Sequence, residues 1–229
     1  MPNLLISSPI LSSTANNTLK KLPVSVKKSV VSLAFLSCAV FSNPVSAKTI
    51  LILGDSISAG YGIEVQQGWV AKLQQRLDQQ APKQHQVINA SVSGETTSGG
   101  LARLPRLLNT HKPDIVVIEL GGNDGLRGQP PHLIQQNLTR LVELSKKANA
   151  QPLLFGMKIP PNYGTAYTTA FSNTFSNVAK AQSVKLLPFF LESVAGHPQL
   201  MQQDLIHPTA DAQEILLNNA WPLIKQNLK

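Results

Sequence analysis

A single cysteine, Cys38, stands in the whole chain. No intramolecular disulfide can therefore brace the fold, and no Cys-rich metal motif is available. Aromatic residues make up only 5% of the sequence, and no run of Lys and Arg interleaved with aromatics occurs, which excludes the usual footprint of a nucleic-acid-binding protein. With so few aromatics, Trp69 and Phe189-Phe190 read as core or pocket wall rather than as a binding platform. His85, His111, His132 and His197 lack metal-ligand spacing and read as surface residues. The apolar stretch VVSLAFLSCAVF, residues 30–41, falls short of the ~20 residues that a stable membrane-spanning helix needs.

Acidic residues are also absent from positions 1–47, where Lys20, Lys21, Lys27 and Lys28 precede the apolar stretch and Val45-Ser46-Ala47 follows it. A basic region, a short apolar region and a small-residue site in that order predict a cleaved secretory signal peptide, residues 1–47. The mature chain would begin at Lys48, enter the periplasm and keep no stable membrane anchor. Cys38 lies within the leader, so the mature chain has no thiol nucleophile; Phe35-Leu36-Ser37 before it is a poor match to a lipobox. The four leader lysines carry half of the +8 net charge, leaving +4 on residues 48–229, a mildly basic surface. That length suits one domain with a full core.

Along the mature chain, apolar runs alternate with helical periodicity. Residues 49–53 form a β-rich run, and Trp69, Val70, Leu73 and Leu77 then recur at helical spacing. Val87-Ile88 gives way to Leu101, Leu104 and Leu108, in a helix that Pro105 is expected to divide because proline cannot donate in a helix interior. Residues 115–120 read as a continuous β-branched run, suited to a central strand buried on both faces. Ile134, Leu138, Leu141 and Val142 mark the next helix, residues 153–157 a strand, 166–183 a helix, and 184–187 a last short strand. The helix after His207 takes Thr209 as its N-cap, and Pro222 disturbs its end. Five alternations predict an α/β fold, with an about five-stranded parallel sheet and helices on both faces.

In such a sheet, sites form at the carboxyl ends of the strands. GDSISAGYG follows the first strand, Ser91-Val92-Ser93-Gly94 the second and Gly121-Gly122-Asn123-Asp124 the third; Asp204-Leu205-Ile206-His207 precedes the last helix. Their residue types make a hydrolytic site. A serine hydroxyl is a weak nucleophile without an adjacent base, which gives Ser56 the nucleophile's role and His207 that of base. Asp204, three residues earlier, can accept from the other ring nitrogen and fix the tautomer. Gly94 and Ser56 offer backbone N–H groups, and Asn123 its amide, to the oxyanion of a tetrahedral intermediate. Asp55 and Asp124, each beside a residue with a better role, read as loop-fixing acceptors. The loop GLRGQP, residues 125–130, is expected to border the oxyanion hole and move on binding, with Leu126 touching an acyl chain and its two glycines absorbing the backbone change.

GDSISAGYG, NASVSGETT, LGGNDGLRG and DLIHP, with GLARLP, IPPNYG and LLPFF in order between them, resemble the blocks of the SGNH (GDSL-type) hydrolases over about residues 49–221. The resemblance implies a three-layer α/β/α, flavodoxin-like fold and a Ser56, Asp204, His207 triad. It also implies an oxyanion hole of Ser56, Gly94 and Asn123, with Leu126, Ile159 and Pro160 at the substrate. No metal or organic cofactor is implied. The implied substrates are small-molecule aryl esters, acyl-CoA thioesters and lysophospholipids, with no nucleic acid, and the implied state is a monomer. Ile57 stands where the family often has Leu, and Glu95 where close relatives have Asp. Carbohydrate O-acetylesterase activity and a non-catalytic periplasmic binding module are the alternatives.

Overall fold

The computed structural model describes residues 46–228, together with residues 14, 16, 18, 20 and 21. The expected leader, residues 1–47, lies almost wholly outside the described residues. Among those described, no helix is long and apolar enough to cross a membrane.

In chain order the elements are β1 (Thr49–Gly54), α1 (Ser56–Ala59), α2 (Trp69–Gln80), β2 (Gln86–Asn89), α3 (Thr97–His111), β3 (Ile115–Glu119), α4 (Gly122–Leu126), α5 (Pro131–Lys147), β4 (Gln151–Phe155), α6 (Thr165–Ala181), β5 (Lys185–Leu187) and α7 (Gln213–Lys225). The five strands form one sheet, in the order β2-β1-β3-β4-β5, with every pairing parallel. That order is the flavodoxin-like one, with its topological switch between β1 and β3. Ile50, Leu51, Ile52 and Leu53 are all fully buried, so β1 needs cover on both faces. Helices α2 and α7 pack together, and α5 lies between α3 and α6. Trp69, Phe155 and Phe190 form an aromatic cluster, with ring centroids 5.0 to 6.0 Å apart; Trp69 and Phe190 are core residues, as expected.

Several sequence expectations are corrected. Pro105 does not divide α3, which runs unbroken through it: the proline lies on the exposed side, while Gly100, Leu104 and Leu108 hold the buried face. Likewise α7 continues past Pro222 to Lys225. Thr209 is not the N-cap of α7, which starts at Gln213 without a side-chain cap. Thr209 instead joins a small hairpin, its N–H donating to the Leu200 carbonyl over 2.9 Å. His85 is buried, not superficial; its Nδ1 accepts the Lys48 backbone N–H at 3.2 Å, and burial and the Lys48 charge lower its pKa. Residues 115–120 are not continuously apolar, because Glu119 ends β3 with no exposed surface. Gly125 and Leu126 belong to α4 rather than to a free loop.

Candidate active site

The reversal of strand order puts the ends of β1 and β3 beside one crevice. Asp55 leaves β1 and caps the single turn α1, its Oδ1 accepting the Ile57 N–H at 3.0 Å. Ser56 is therefore the first residue of a helical turn, held at the strand's carboxyl end. Gly60, at φ 76°, stops the turn after one cycle, where an L side chain would be strained.

The hairpin between β5 and α7 brings the other two residues. Met201 bridges Pro208, and the Gln202 N–H donates to the His207 carbonyl at 2.7 Å. The Gln202 side chain donates to the Tyr61 carbonyl at 2.8 Å and the Pro208 carbonyl at 3.0 Å, which ties this hairpin to the chain just after α1. His207 Nε2 lies 2.9 Å from Ser56 Oγ, and His207 Nδ1 lies 2.6 Å from Asp204 Oδ2. The other carboxylate oxygen of Asp204 accepts the Ile206 and His207 backbone N–H groups at 2.9 and 3.0 Å. Burial acts to raise the Asp204 pKa, but these hydrogen bonds and the His207 charge outweigh it and bring it down to about 2. Asp204 is thus a carboxylate throughout the neutral range. The Tyr61 ring packs on the imidazole, with centroids 4.4 Å apart.

Asn123, on α4 after β3, reaches between the loops that follow β1 and β2. Its Nδ2 donates to the Glu95 carbonyl at 3.0 Å and to Asp55 Oδ2 at 3.3 Å. Gly94 precedes Glu95 with φ 76°, and Arg127 donates to the Gly94 carbonyl at 3.1 Å. Ser56, Gly94 and Asn123 are thereby brought to one crevice. Asp124 fixes α4 as expected, accepting the Thr97 N–H at 2.9 Å and its hydroxyl at 2.6 Å. Glu95 is engaged by Arg103, at 2.7 Å.

The expected substrate residues divide. Leu126 is half-buried at the end of α4, Pro160 is exposed, and Ile159 belongs to the core. Ile159 packs under Gly125, where an added Cβ would lie 2.8 Å from Ile159 Cγ2 and 2.6 Å from the Phe171 ring. The glycine at 125 thus permits close packing against both side chains. Tyr163 and Tyr167 further anchor this segment, donating to the Leu126 and Gln129 carbonyls at 2.8 and 2.7 Å.

Sequence reasoning missed four contributors: Glu119, Ser58, Gln202 and Tyr61. Ser58 donates to Glu119 Oε2 at 2.6 Å and accepts from Trp69 Nε1 at 3.1 Å. Two hydroxyls in one turn, Ser56 and Ser58, were the available signal, since the second needs a buried partner once the first is used.

The sequence matches the GDSL-like Lipase/Acylhydrolase family over residues 52–215. It is 49% identical over 190 residues to Esterase TesA of Pseudomonas aeruginosa, covering 83% of this chain and 94% of that one. To Thioesterase 1/protease 1/lysophospholipase L1 of Escherichia coli K12 it is 48% identical over 171 residues, covering 75% of this chain and 80% of the other. Among solved structures, the crystal structure of TesA superposes with a TM-score of 0.76 at 50% identity, covering 79% of this chain and 99% of that one.

Proposed function

The chain belongs to the GDSL-like lipase/acylhydrolase family, and from that membership we propose a serine hydrolase that cleaves acyl esters and thioesters, lysophospholipids among them, through an acyl-enzyme on Ser56. The observation that carries the reading is the unbroken hydrogen-bond chain from Ser56 through His207 to Asp204.

Ser56 Oγ attacks the acyl carbon as its proton passes to His207 Nε2. Asp204, kept ionised, holds the ring by Nδ1 and stabilises the imidazolium. The negative charge that develops on the acyl oxygen meets the N–H groups of Ser56 and Gly94 and one N–H of the Asn123 amide, which gives up its long 3.3 Å contact with Asp55 Oδ2 for the oxyanion. Collapse of the tetrahedral adduct breaks the bond to the alcohol or thiol, which leaves with the proton from Nε2. Water then attacks the acyl-enzyme, its proton passing to Nε2 and on to Ser56 Oγ, and the acid is released.

The surroundings favour an acyl chain over a sugar. Tyr61, Val92, Leu205 and Ile206 are large apolar residues left 42–64% exposed on the loops that carry Ser56, Gly94 and His207. A carbohydrate O-acetylesterase would present polar side chains there. The names of the relatives, esterase and thioesterase, favour hydrolysis over a non-catalytic binding module. Every group of the proposed site comes from one chain, so a monomer has all that the reaction needs. Export to the periplasm, with cleavage after Ala47, rests on the pattern of residues 1–47, and N-terminal sequencing of the exported protein tests it.

Ser56→Ala, in the chain from Lys48 onward, is expected to lower the turnover of an aryl ester by at least ~10³-fold, since binding and the oxyanion donors alone remain. A folded Ser56→Ala protein with a tenth of wild-type turnover would refute the assignment.

A further inference from the structure

A carboxyl group with no exposed surface lies beneath the proposed nucleophile, and neither the triad nor the oxyanion hole uses it. Glu119 pairs in register with Gly54 at the ends of β3 and β1. Its Oε2 accepts the Ser58 hydroxyl at 2.6 Å and the Asp55 backbone N–H at 3.4 Å. Ser58 in turn accepts from the buried indole of Trp69 at 3.1 Å. Among the described residues, Oε1 has no hydrogen-bond partner.

A valine or isoleucine would fill this strand position without burying a polar group, and buried polar atoms left unpaired are rare enough to need a reason. The surroundings make room for the carboxyl. A Cβ on Gly54 would lie 2.6 Å from Glu119 Oε2 and 2.8 Å from Ser58 Oγ, so any other residue at 54 would displace this contact. Both groups that Glu119 receives belong to α1 and its cap, one on each side of Ser56.

We infer that Glu119 is a positioning residue for the nucleophile: by gripping Asp55 and Ser58 from below, it fixes the turn that aims Ser56 Oγ at His207 and Ser56 N–H at the oxyanion. Its burial, with the nearby Asp55 charge, holds the carboxyl well above the usual carboxylate range. What the turn uses is an acceptor oxygen rather than a negative charge, and glutamine is the nearest substitute. The inference rests on Ser56 as nucleophile, and Ser56→Ala, run in parallel, separates failure of that reading from failure of this one.

The test compares Glu119→Met, Glu119→Gln and Ser58→Ala by steady-state aryl-ester hydrolysis, by the rate of stoichiometric labelling of Ser56 with an aryl phosphonate, and by thermal unfolding. Misplacement of a reacting atom by about 1 Å costs on the order of 10²-fold, so Glu119→Met is expected to lower kcat and the labelling rate ~10- to 100-fold with KM little changed. Glu119→Gln should recover most of that loss, and Ser58→Ala should lose kcat in the same sense. If Glu119→Met melts earlier but keeps wild-type kcat and labelling well below its melting point, while Ser56→Ala is inactive, Glu119 is only a structural residue and the inference fails. It fails equally if KM alone rises, or if Glu119→Gln is as impaired as Glu119→Met. Should Glu119→Met not fold, Ser58→Ala decides: wild-type labelling in that variant overturns the inference.

Discussion

Asp55, beside the proposed nucleophile, is only 2% exposed, and its protonation should be readable in the stability of the whole domain. Burial raises its pKa from 3.8 to about 6, with the Asp124 charge adding, against the lowering by the Ile57 N–H, the His207 charge and the Asn123 amide. Between those two values the folded protein keeps a proton that the unfolded chain has lost. Stability therefore falls as pH rises through the window, and the penalty is complete above about pH 6 to 7. Integrated from pH 4 to pH 7, the penalty is about 2 kcal/mol.

Asp55→Asn has no such proton to lose. Relative to wild type, its unfolding free energy is expected to climb by about 2 kcal/mol over that range, whatever its offset at pH 4. Removing the Asp55 charge also eases the ionisation of Glu119, which acts in the same direction. The assay is urea unfolding of both proteins at pH 4, 5, 6 and 7, reading only the difference between them. A difference that stays flat, or that shrinks toward pH 7, refutes the reasoning. Activity should move the other way. The two carboxylate oxygens accept the Ile57 N–H and the Asn123 Nδ2–H separately; in Asn one of these positions becomes an NH₂ donor set against a donor, so Asp55→Asn loosens an oxyanion donor and lowers kcat.

Asn123→Ala should lower kcat by ~10²- to 10³-fold with KM little changed, because the donor matters most when charge develops on oxygen; a rise in KM alone would make Asn123 a substrate-positioning residue. Gly125→Ala should destabilise the domain by about 1–3 kcal/mol, through overpacking against Phe171 and Ile159, seen as a lowered Tm; an unchanged Tm would show that α4 shifts freely. With p-nitrophenyl esters of increasing acyl length, kcat/KM should climb by up to roughly fourfold per methylene, from ~0.8 kcal/mol per buried CH₂, until the apolar surface is used. A profile that falls from acetate onward would favour the O-acetylesterase reading.

The features legible in the sequence share a cause. Strands buried on both faces are mostly apolar, so β1 and the buried part of β4 announce themselves by composition, and polar or glycine-rich stretches at the strands' carboxyl ends mark the site. Position within such a stretch is not encoded in the same way. The segment GGNDGL carries three glycines and reads as a loop, yet it folds as α4, because Asp124 pins it to Thr97 and the Gly125 N–H donates to the Gly121 carbonyl at 2.9 Å. Tertiary contacts outweigh the weak helix propensity of glycine there. Pro105 misleads for the converse reason, since the helix is held by its buried face and the proline sits on the other. Glu119 escapes because one polar residue at the end of an apolar run changes no periodicity; only the register of β3 against β1 shows that it meets Gly54.

That register explains why Gly54, Asp55 and Ser56 stand together although they serve separate contacts. Gly54 leaves space for a carboxyl from the neighbouring strand. Asp55 turns its backbone N–H toward that carboxyl while its side chain caps α1 and holds Asn123. Ser56, next along, begins the turn with its hydroxyl at His207. A side chain at 54 would push Glu119 away from Ser58, a neutral residue at 55 would cost one of two hydrogen bonds, and a serine shifted one position would lie elsewhere on the turn. The three residues are interlocked through different neighbours, so a change at either of the first two should show its largest effect on the rate at which Ser56 reacts, and less on how tightly substrate is bound.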